Sequence, residues 1–308
     1  MRVFMTGGTG FVGRTLARAF IEKGHEVTVL TRSLKNPGLL PQGAGFLVGD
    51  PTEPGPWQKE VANHDVIVNL AGASIFSLWT KRRKEAIKKS RIRTTKNLVM
   101  ALKARKGLDT VFLSASAVGY YGHGGDEVFS EESPPGDGFL ARLAGEWERV
   151  ALEAETLGCR VLLCRFGVVL GTEGGAFPKM ISVFRWGLGS RLGGGNQWFS
   201  WIHERDLARI FLFLAERKDA VGPVNFTAPE PIRNRDLTGM LGKALGRPTF
   251  LPPVPTFLIK TLAGEFGRML LEGQRALPKK LMGMGFQFEF PCFMGAVEDL
   301  VRPGSGKS

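Results

Sequence analysis

The sequence predicts an α/β fold: a doubly wound parallel sheet with helices on both faces, followed by a smaller C-terminal domain. Three observations predict it. Strand-like and helix-like segments alternate through the first half of the chain, the pattern left by a parallel sheet with crossover helices. A glycine-rich turn joins the first strand directly to the first helix. After about residue 171 the texture changes, with glycine and proline clustering at 171–178, 187–195 and 248–255 between shorter helical pieces.

The elements follow in order. Residues 2–6 read as a strand, 11–23 as a helix and 27–31 as a second strand. Val12, Leu16, Ala19 and Phe20 recur at helical spacing, and Gly24 stands where a helix C-cap belongs. Residues 45–48, 66–70, 111–114 and 161–166 are further strands, and helical stretches near 80–105 and 139–157 separate the last three. Residues 222–227 are expected to return one strand to this first unit. The expected division is 1–170, with a return segment near 205–228, for the first domain. Residues 171–204 and 229–303 form the second, and 304–308 a flexible tail.

Composition sets the class of partner. The 308 residues are 43% hydrophobic and 23% charged, which excludes a disulfide miniprotein, a collagen-like repeat and a disordered chain. Lys+Arg 41 against Asp+Glu 29 leaves a formal charge of +12, so phosphates, nucleic acid and acidic membrane surfaces are the partners to weigh. Cys159, Cys164 and Cys292 form no paired framework, and a reduced cytoplasmic setting fits them. No export signal is visible. The most apolar later stretch, 207–215, is short and contains Arg209, well below the ~20 apolar residues of a membrane span. No membrane partner is therefore expected.

Thr6-Gly7-Gly8-Thr9-Gly10-Phe11-Val12-Gly13 satisfies G-x-G-x-x-G between a strand and a helix. Such glycines permit a tight turn, a close approach of backbone to pyrophosphate and close helix–strand packing, while the helix N-terminus offers free N–H groups to the phosphates. This is the fingerprint of a Rossmann-type dinucleotide unit. An NAD-binding unit places Asp or Glu at the end of the second strand to hold the ribose 2′-OH. Here Thr31-Arg32-Ser33 stands there, with Lys35 near. A guanidinium pairs with a 2′-phosphate that a carboxylate would repel, so NADP(H) is the expected cofactor.

With these residues the chain resembles the short-chain dehydrogenase/reductase superfamily, in its extended and atypical, sugar-nucleotide-epimerase-like branch. The resemblance covers nearly the whole chain. It rests on the glycine turn, Asn69-Leu70-Ala71-Gly72, Ser114-Ala115-Ser116-Ala117-Val118-Gly119-Tyr120-Tyr121-Gly122, Arg165-Phe166-Gly167-Val168-Val169-Leu170-Gly171 and Trp201-Ile202-His203-Glu204-Arg205-Asp206-Leu207. Leu271-Glu272-Gly273-Gln274-Arg275 and Gly285-Phe286 are similar to one atypical subfamily. The resemblance implies hydride transfer to or from an unidentified small molecule. It also implies that Leu70, Ala71 and Gly72 line the cofactor, that Arg91 lies near it, and that Val169 sits toward the nicotinamide end.

One departure stands out. Relatives with the usual chemistry carry Tyr-x-x-x-Lys as the proton-transfer pair, with an upstream Ser or Thr holding the substrate oxygen. Ser116 resembles that Ser. The only tyrosines are Tyr120 and Tyr121, and the residues four beyond them are Gly124 and Gly125. Where the pair would fall the sequence reads Phe139-Leu140-Ala141-Arg142-Leu143-Ala144-Gly145-Glu146-Trp147-Glu148. Three readings stay open: Tyr120 or Tyr121 replaces the phenol with help from Ser116; His203 or Asp206 supplies the acid; or NADP(H) is bound without turnover. For His203 the alternative is a structural hydrogen bond, and for Asp206 a charge suited to a helix N-terminus.

The remaining signals are weaker. Four scattered histidines, with no Cys-x-x-Cys and no His-Glu-x-x-His, give no metal site. Gly304-Ser305-Gly306-Lys307-Ser308 only superficially resembles a P-loop, since position 301 is Val and no helix follows. Residues 81–106 hold twelve Lys/Arg and one acid, Glu85. Ile87, Thr94, Leu98 and Leu102 form an inward stripe, so the cations decorate the outer face. That face is either simply solvated or a contact for RNA or protein in a non-catalytic NADP(H) sensor. Gly193-Gly194-Gly195-Asn196-Gln197-Trp198, with Trp201, is the expected substrate-facing loop.

Overall fold

The computed structural model describes residues 1–34, 41–105 and 109–302, so Lys35, Lys106 and the 303–308 tail fall outside the described residues. The strands, in chain order, are β1 (Arg2–Thr6), β2 (Glu26–Thr31), β3 (Gly45–Val48), β4 (Val66–Asn69), β5 (Val111–Ala117), β6 (Val128–Phe129) and β7 (Arg160–Phe166). They continue as β8 (Val168–Leu170), β9 (Trp198–Phe199), β10 (Trp201–His203), β11 (Gly222–Phe226), β12 (Ile232–Arg233) and β13 (Arg275–Ala276). The helices are α1 (Phe11–Glu22), α2 (Trp57–Val61), α3 (Lys81–Leu102), α4 (Phe139–Leu152) and α5 (Phe177–Arg185). After them come α6 (Glu204–Glu216), α7 (Asn234–Leu245), α8 (Thr256–Leu271), α9 (Lys279–Gly283) and α10 (Phe293–Val301).

Seven strands form one parallel sheet in the order β11-β7-β5-β4-β1-β2-β3. Alternation along each strand divides the core into two layers. On one face Val3, Met5, Val27, Val29, Val66 and Val68 pack beneath Leu16, Ala17 and Phe20 of α1 and the apolar side of α6. On the other, Phe4, Leu30, Ile67 and Phe112 pack beneath Trp57 of α2, Leu98 and Leu102 of α3 and Ala151 of α4. The strand order reverses between β1 and β4, which opens a crevice at the carboxyl ends of these strands.

The second layer is built from β8–β10, β9–β12 and β6–β13 pairs and from α5, α7 and α10. These helices close over a separate core of Phe177, Ile181, Trp201, Leu241 and Phe293. The long helices are shorter than their apolar patterns predict. α3 ends at Leu102 and tightens into a 3-10 turn over Lys103–Arg105, and α4 ends at Leu152 before a 3-10 turn over Glu153–Leu157. α8 is kinked at Gly264, where φ is 54°, and buries only Ile259 and Gly267.

Candidate cofactor and substrate site

The glycine turn sits at the crevice, and two of its residues cannot carry a side chain. Gly7 has φ +73°, and a Cβ there would lie 2.8 Å from the backbone of Leu70 and Ala71. On Gly13 it would lie 2.3 Å from Gly7 O. The chain therefore passes from β1 into α1 against the end of β4. Gly10 caps α1 and donates its N–H to Gly7 O over 3.0 Å. The first turn of α1 carries no acid, so its N–H groups and the helix dipole favour an anion.

A buried polar ladder holds this edge. Thr6 Oγ1 donates to Asn69 Oδ1 (3.0 Å) and accepts from the Ala71 N–H (3.4 Å). Asn69 Nδ2 donates to Thr95 Oγ1 (2.8 Å) and Ser114 Oγ (3.2 Å), and Trp147 Nε1 donates to the same Thr95 oxygen (2.8 Å). The ends of β1, β4 and β5 are thereby tied to α3 and α4. Thr95 and Trp147 carry no signal in the sequence, because their partners lie on other elements.

At the end of β2, Thr31 Oγ1 donates to Ser33 O over 3.0 Å and shapes the turn. Arg32 is exposed there and makes no ion pair among the described residues. Across the turn, Phe11 lies under the loop before α5: a Cβ on Gly171 would come within 2.5 Å of its ring and one on Gly174 within 2.7 Å of its Cβ. Arg14 and Arg18 of α1 pair with Glu173 at 3.3 Å. Thr15 Oγ1 donates to Glu204 Oε2 at 3.3 Å, and burial pushes the Glu204 carboxyl pKa up. Val169 lies on β8, just before this fastened loop; Val12 packs against the sheet core.

Arg91 turns inward from α3. Its Nη1 donates to Ala73 O (3.0 Å) and Ile87 O (3.2 Å), and its guanidinium lies 5.2 Å from the Trp147 ring. A Cβ on Gly72 would meet it at 3.1 Å. Burial, with Arg83 nearby, lowers its pKa to about 10. Four of the eight other cations of α3 are ion-paired: Lys84–Glu265, Lys88–Glu146, Lys89–Glu85 and Arg93–Glu53.

The three catalytic candidates meet the Glu148–Arg165 pair. Ser116 is buried, and its Oγ donates to Glu148 Oε1 over 2.6 Å. Arg165 grips Glu148 in a fork, Nε and Nη2 each donating over 2.8 Å. Arg165 Nη1 also donates to the Tyr121 hydroxyl (3.0 Å), which donates to Asn225 Oδ1 (2.7 Å). Burial pushes the Tyr121 phenol pKa up to about 12. Tyr120 is half-buried, with its ring centroid 3.6 Å from the Arg165 guanidinium carbon. Leu140 of α4 fills the space beside Gly119, where an added Cβ would approach it to 3.2 Å. Glu148 and Arg165 give no signal as a pair, because they stand on different elements; the available signal is a lone base, Arg165, within the otherwise apolar stretch 161–166.

The second-layer candidates are structural. His203 is buried: Nδ1 caps α6 by accepting the Arg205 N–H (3.1 Å), Nε2 lies 3.3 Å from Asp299, and the ring stacks on Phe290 at 3.9 Å. Burial lowers its pKa to about 4. Asp206 is fully buried and accepts the Glu289 and Phe290 N–H groups at 2.9 and 2.8 Å. Trp201 corrects the expectation of a substrate-facing residue, since it is fully buried and donates to Glu230 O.

Two cavities open on the second layer. One, about 750 Å³, is lined by Gly119, Tyr121, Phe139, Leu140 and Arg268 among others. The other, about 700 Å³, is lined by Gly194, Asn196, Trp198, Arg233, Arg235 and Lys260 among others, and so includes the loop at 193–198. Among the described residues no cluster of His, Cys, Asp or Glu could hold a metal ion. No helix there is long and apolar enough to cross a membrane.

The chain matches the NAD dependent epimerase/dehydratase family over residues 3–226 and the Domain of unknown function (DUF1731) over residues 254–300. It is 39% identical over 307 residues to the epimerase family protein SDR39U1 homolog, chloroplastic, of Arabidopsis thaliana, covering 98% of this chain and 87% of that one. It is 36% identical to the epimerase family protein YfhF of Bacillus subtilis, covering 98% of both. Human epimerase family protein SDR39U1 (isoform 2), solved with NADPH, superposes with a TM-score of 0.84 at 32% identity, covering 97% of this chain and 99% of that one. A Thermus thermophilus UDP-glucose 4-epimerase, solved in complex with NAD, shares the fold at a TM-score of 0.77 and 19% identity, covering 97% of each chain.

Proposed function

The chain belongs to the NAD dependent epimerase/dehydratase family, and on that premise we propose that it is an NADP(H)-dependent oxidoreductase or epimerase-like enzyme acting on a small molecule. One observation carries the reading: a turn cleared of side chains by Gly7 and Gly13 faces the N-terminus of α1, and Arg32 at the end of β2 is exposed and makes no ion pair among the described residues. The human relative solved with NADPH supports the cofactor. In this reading Gly7, Gly10, Phe11, Val12 and Gly13 hold the pyrophosphate. Thr31, Arg32 and Ser33 hold the phosphorylated ribose, Leu70, Ala71, Gly72 and Arg91 flank the cofactor, and Val169 lies toward the nicotinamide.

When bound, the dinucleotide supplies or accepts a hydride. The chain's own residues bind, orient and exchange the proton. Residues 1–170 with 205–228 form the cofactor unit, and 171–204 with 229–303 hold the substrate against it. The cavity beside Gly119 and Tyr121 receives the substrate. Ser116 and Tyr121 keep Glu148 and Arg165 in register, and Tyr120, half-buried and next in the chain to the cavity-lining Gly119 and Tyr121, is the phenol left to exchange a proton with the substrate oxygen. A carbonyl-substrate screen followed by NADPH absorbance tests this. Turnover that Tyr120→Phe removes, with NADPH affinity retained, supports it; turnover unchanged in Tyr120→Phe overturns the assignment.

A second reading, NADP(H) binding without turnover, draws on the same centre. Ser116 is engaged by Glu148 and Tyr121 by Arg165 and Asn225, so two of the three hydroxyls are held. Cofactor binding with no turnover across the screen would select it.

A further inference from the structure

Two segments of the second layer, residues 176–195 and 237–264, contain Lys179, Arg185, Arg191, Lys243, Arg247 and Lys260 and not one carboxylate. All six cations are exposed, and none forms an ion pair among the described residues. On α3, by contrast, four of the nine cations are ion-paired. The same two segments hold the five most exposed large apolar side chains of the described residues: Phe250 (83%), Trp186 (81%), Leu262 (75%), Phe257 (66%) and Leu188 (61%). The segments run side by side. Val254 N–H donates to Arg191 O (2.8 Å), Gly193 N–H donates to Val254 O (2.9 Å), and Ser190 Oγ donates to Pro252 O (2.6 Å). α5 lies within the first segment, and most of α7 and the first half of α8 within the second.

Large exposed apolar side chains concentrated on two adjoining segments mark a contact surface, and the charge they share it with selects the partner. A second copy of the chain docked through this face by a two-fold axis would set the six cations against the same six. Nucleic acid would neutralise the cations but leave Leu188 and Leu262 in water. An anionic bilayer meets both demands, taking apolar side chains into the headgroup boundary while Lys and Arg stay at the phosphates. We propose that this face docks peripherally on an anionic lipid surface, with Trp186, Phe250 and Leu262 as its insertion points. The expectation of no membrane partner rests on the lack of a spanning segment; a peripheral contact needs none.

Flotation of the full chain with vesicles of phosphatidylglycerol, and separately of phosphatidylcholine, tests the proposal. Binding is expected to phosphatidylglycerol alone. It should fall about tenfold in Phe250→Ser and again in Arg185→Ser, because the first removes a ring from the headgroup boundary and the second a cation from the lipid phosphates. Trp186 fluorescence should shift to the blue on binding, and Trp186→Phe should abolish that shift. Since all these side chains are exposed, the variants should keep the wild-type melting temperature. No flotation with phosphatidylglycerol, or equal flotation with both lipids, would overturn the proposal. So would a dimer that Phe250→Ser dissociates, or RNA binding that Phe250→Ser leaves intact.

Discussion

Ser116 donates its hydroxyl proton to Glu148 over 2.6 Å at the heart of the molecule, and the same carboxylate is forked by Arg165. A buried ion pair between α4 and β7 thus lies beside the end of β5. The Glu148 and Arg165 side chains are only 6% and 4% exposed, so removing one leaves the other desolvated and uncompensated. Glu148→Ala should cost about 3–5 kcal/mol. Urea unfolding checks this, and a loss under 1 kcal/mol would contradict it.

The glycine turn makes a steric prediction. A methyl on Gly13 would sit 2.3 Å from Gly7 O, and backbone on both sides leaves nothing flexible to yield. Gly13→Ala should destabilise the fold by about 1–3 kcal/mol and weaken NADPH by at least about tenfold by displacing the N–H groups at the start of α1. Fluorescence titration with NADPH, beside thermal unfolding, measures both. Unchanged affinity would show that the turn does not meet the phosphates.

His203 makes the protein sensitive to acid. Burial lowers its pKa from 6.5 to about 4, so between those values the unfolded chain binds a proton that the folded chain refuses. Its contribution is complete above pH 6.5 and is lost as pH falls through that window, at about 1.4 kcal/mol per unit. Between about pH 7 and pH 5, wild type should lose about 2 kcal/mol more than His203→Asn, which keeps an acceptor at the α6 cap. Equal losses in the two proteins would place His203 outside the acid response.

What the sequence disclosed is what neighbours in sequence decide. Val12, Leu16 and Phe20 mark the buried face of α1 by spacing alone, and the glycines of the first turn mark themselves by steric need. The engagement of Ser116 was hidden because its partner is 32 residues away and meets it only once α4 packs beside β5. Thr15 and Glu204 are separated by 189 residues, so no local pattern ties α1 to α6. Trp201 shows the opposite failure. Its proximity in sequence to the glycine loop placed it on the cavity, but β10 turns its indole inward onto Glu230 O.

The proposed preference for NADP(H) turns on Arg32 reading the extra phosphate of the dinucleotide. Titration calorimetry of wild type and Arg32→Asp with NADPH and NADH measures it most directly. NADPH should bind wild type more tightly than NADH, and the substitution should weaken NADPH by about tenfold to a hundredfold while leaving NADH nearly unchanged, as expected for loss of a charge-assisted contact plus like-charge repulsion. Equal losses for both coenzymes, or no heat from either with the wild-type chain, would contradict it.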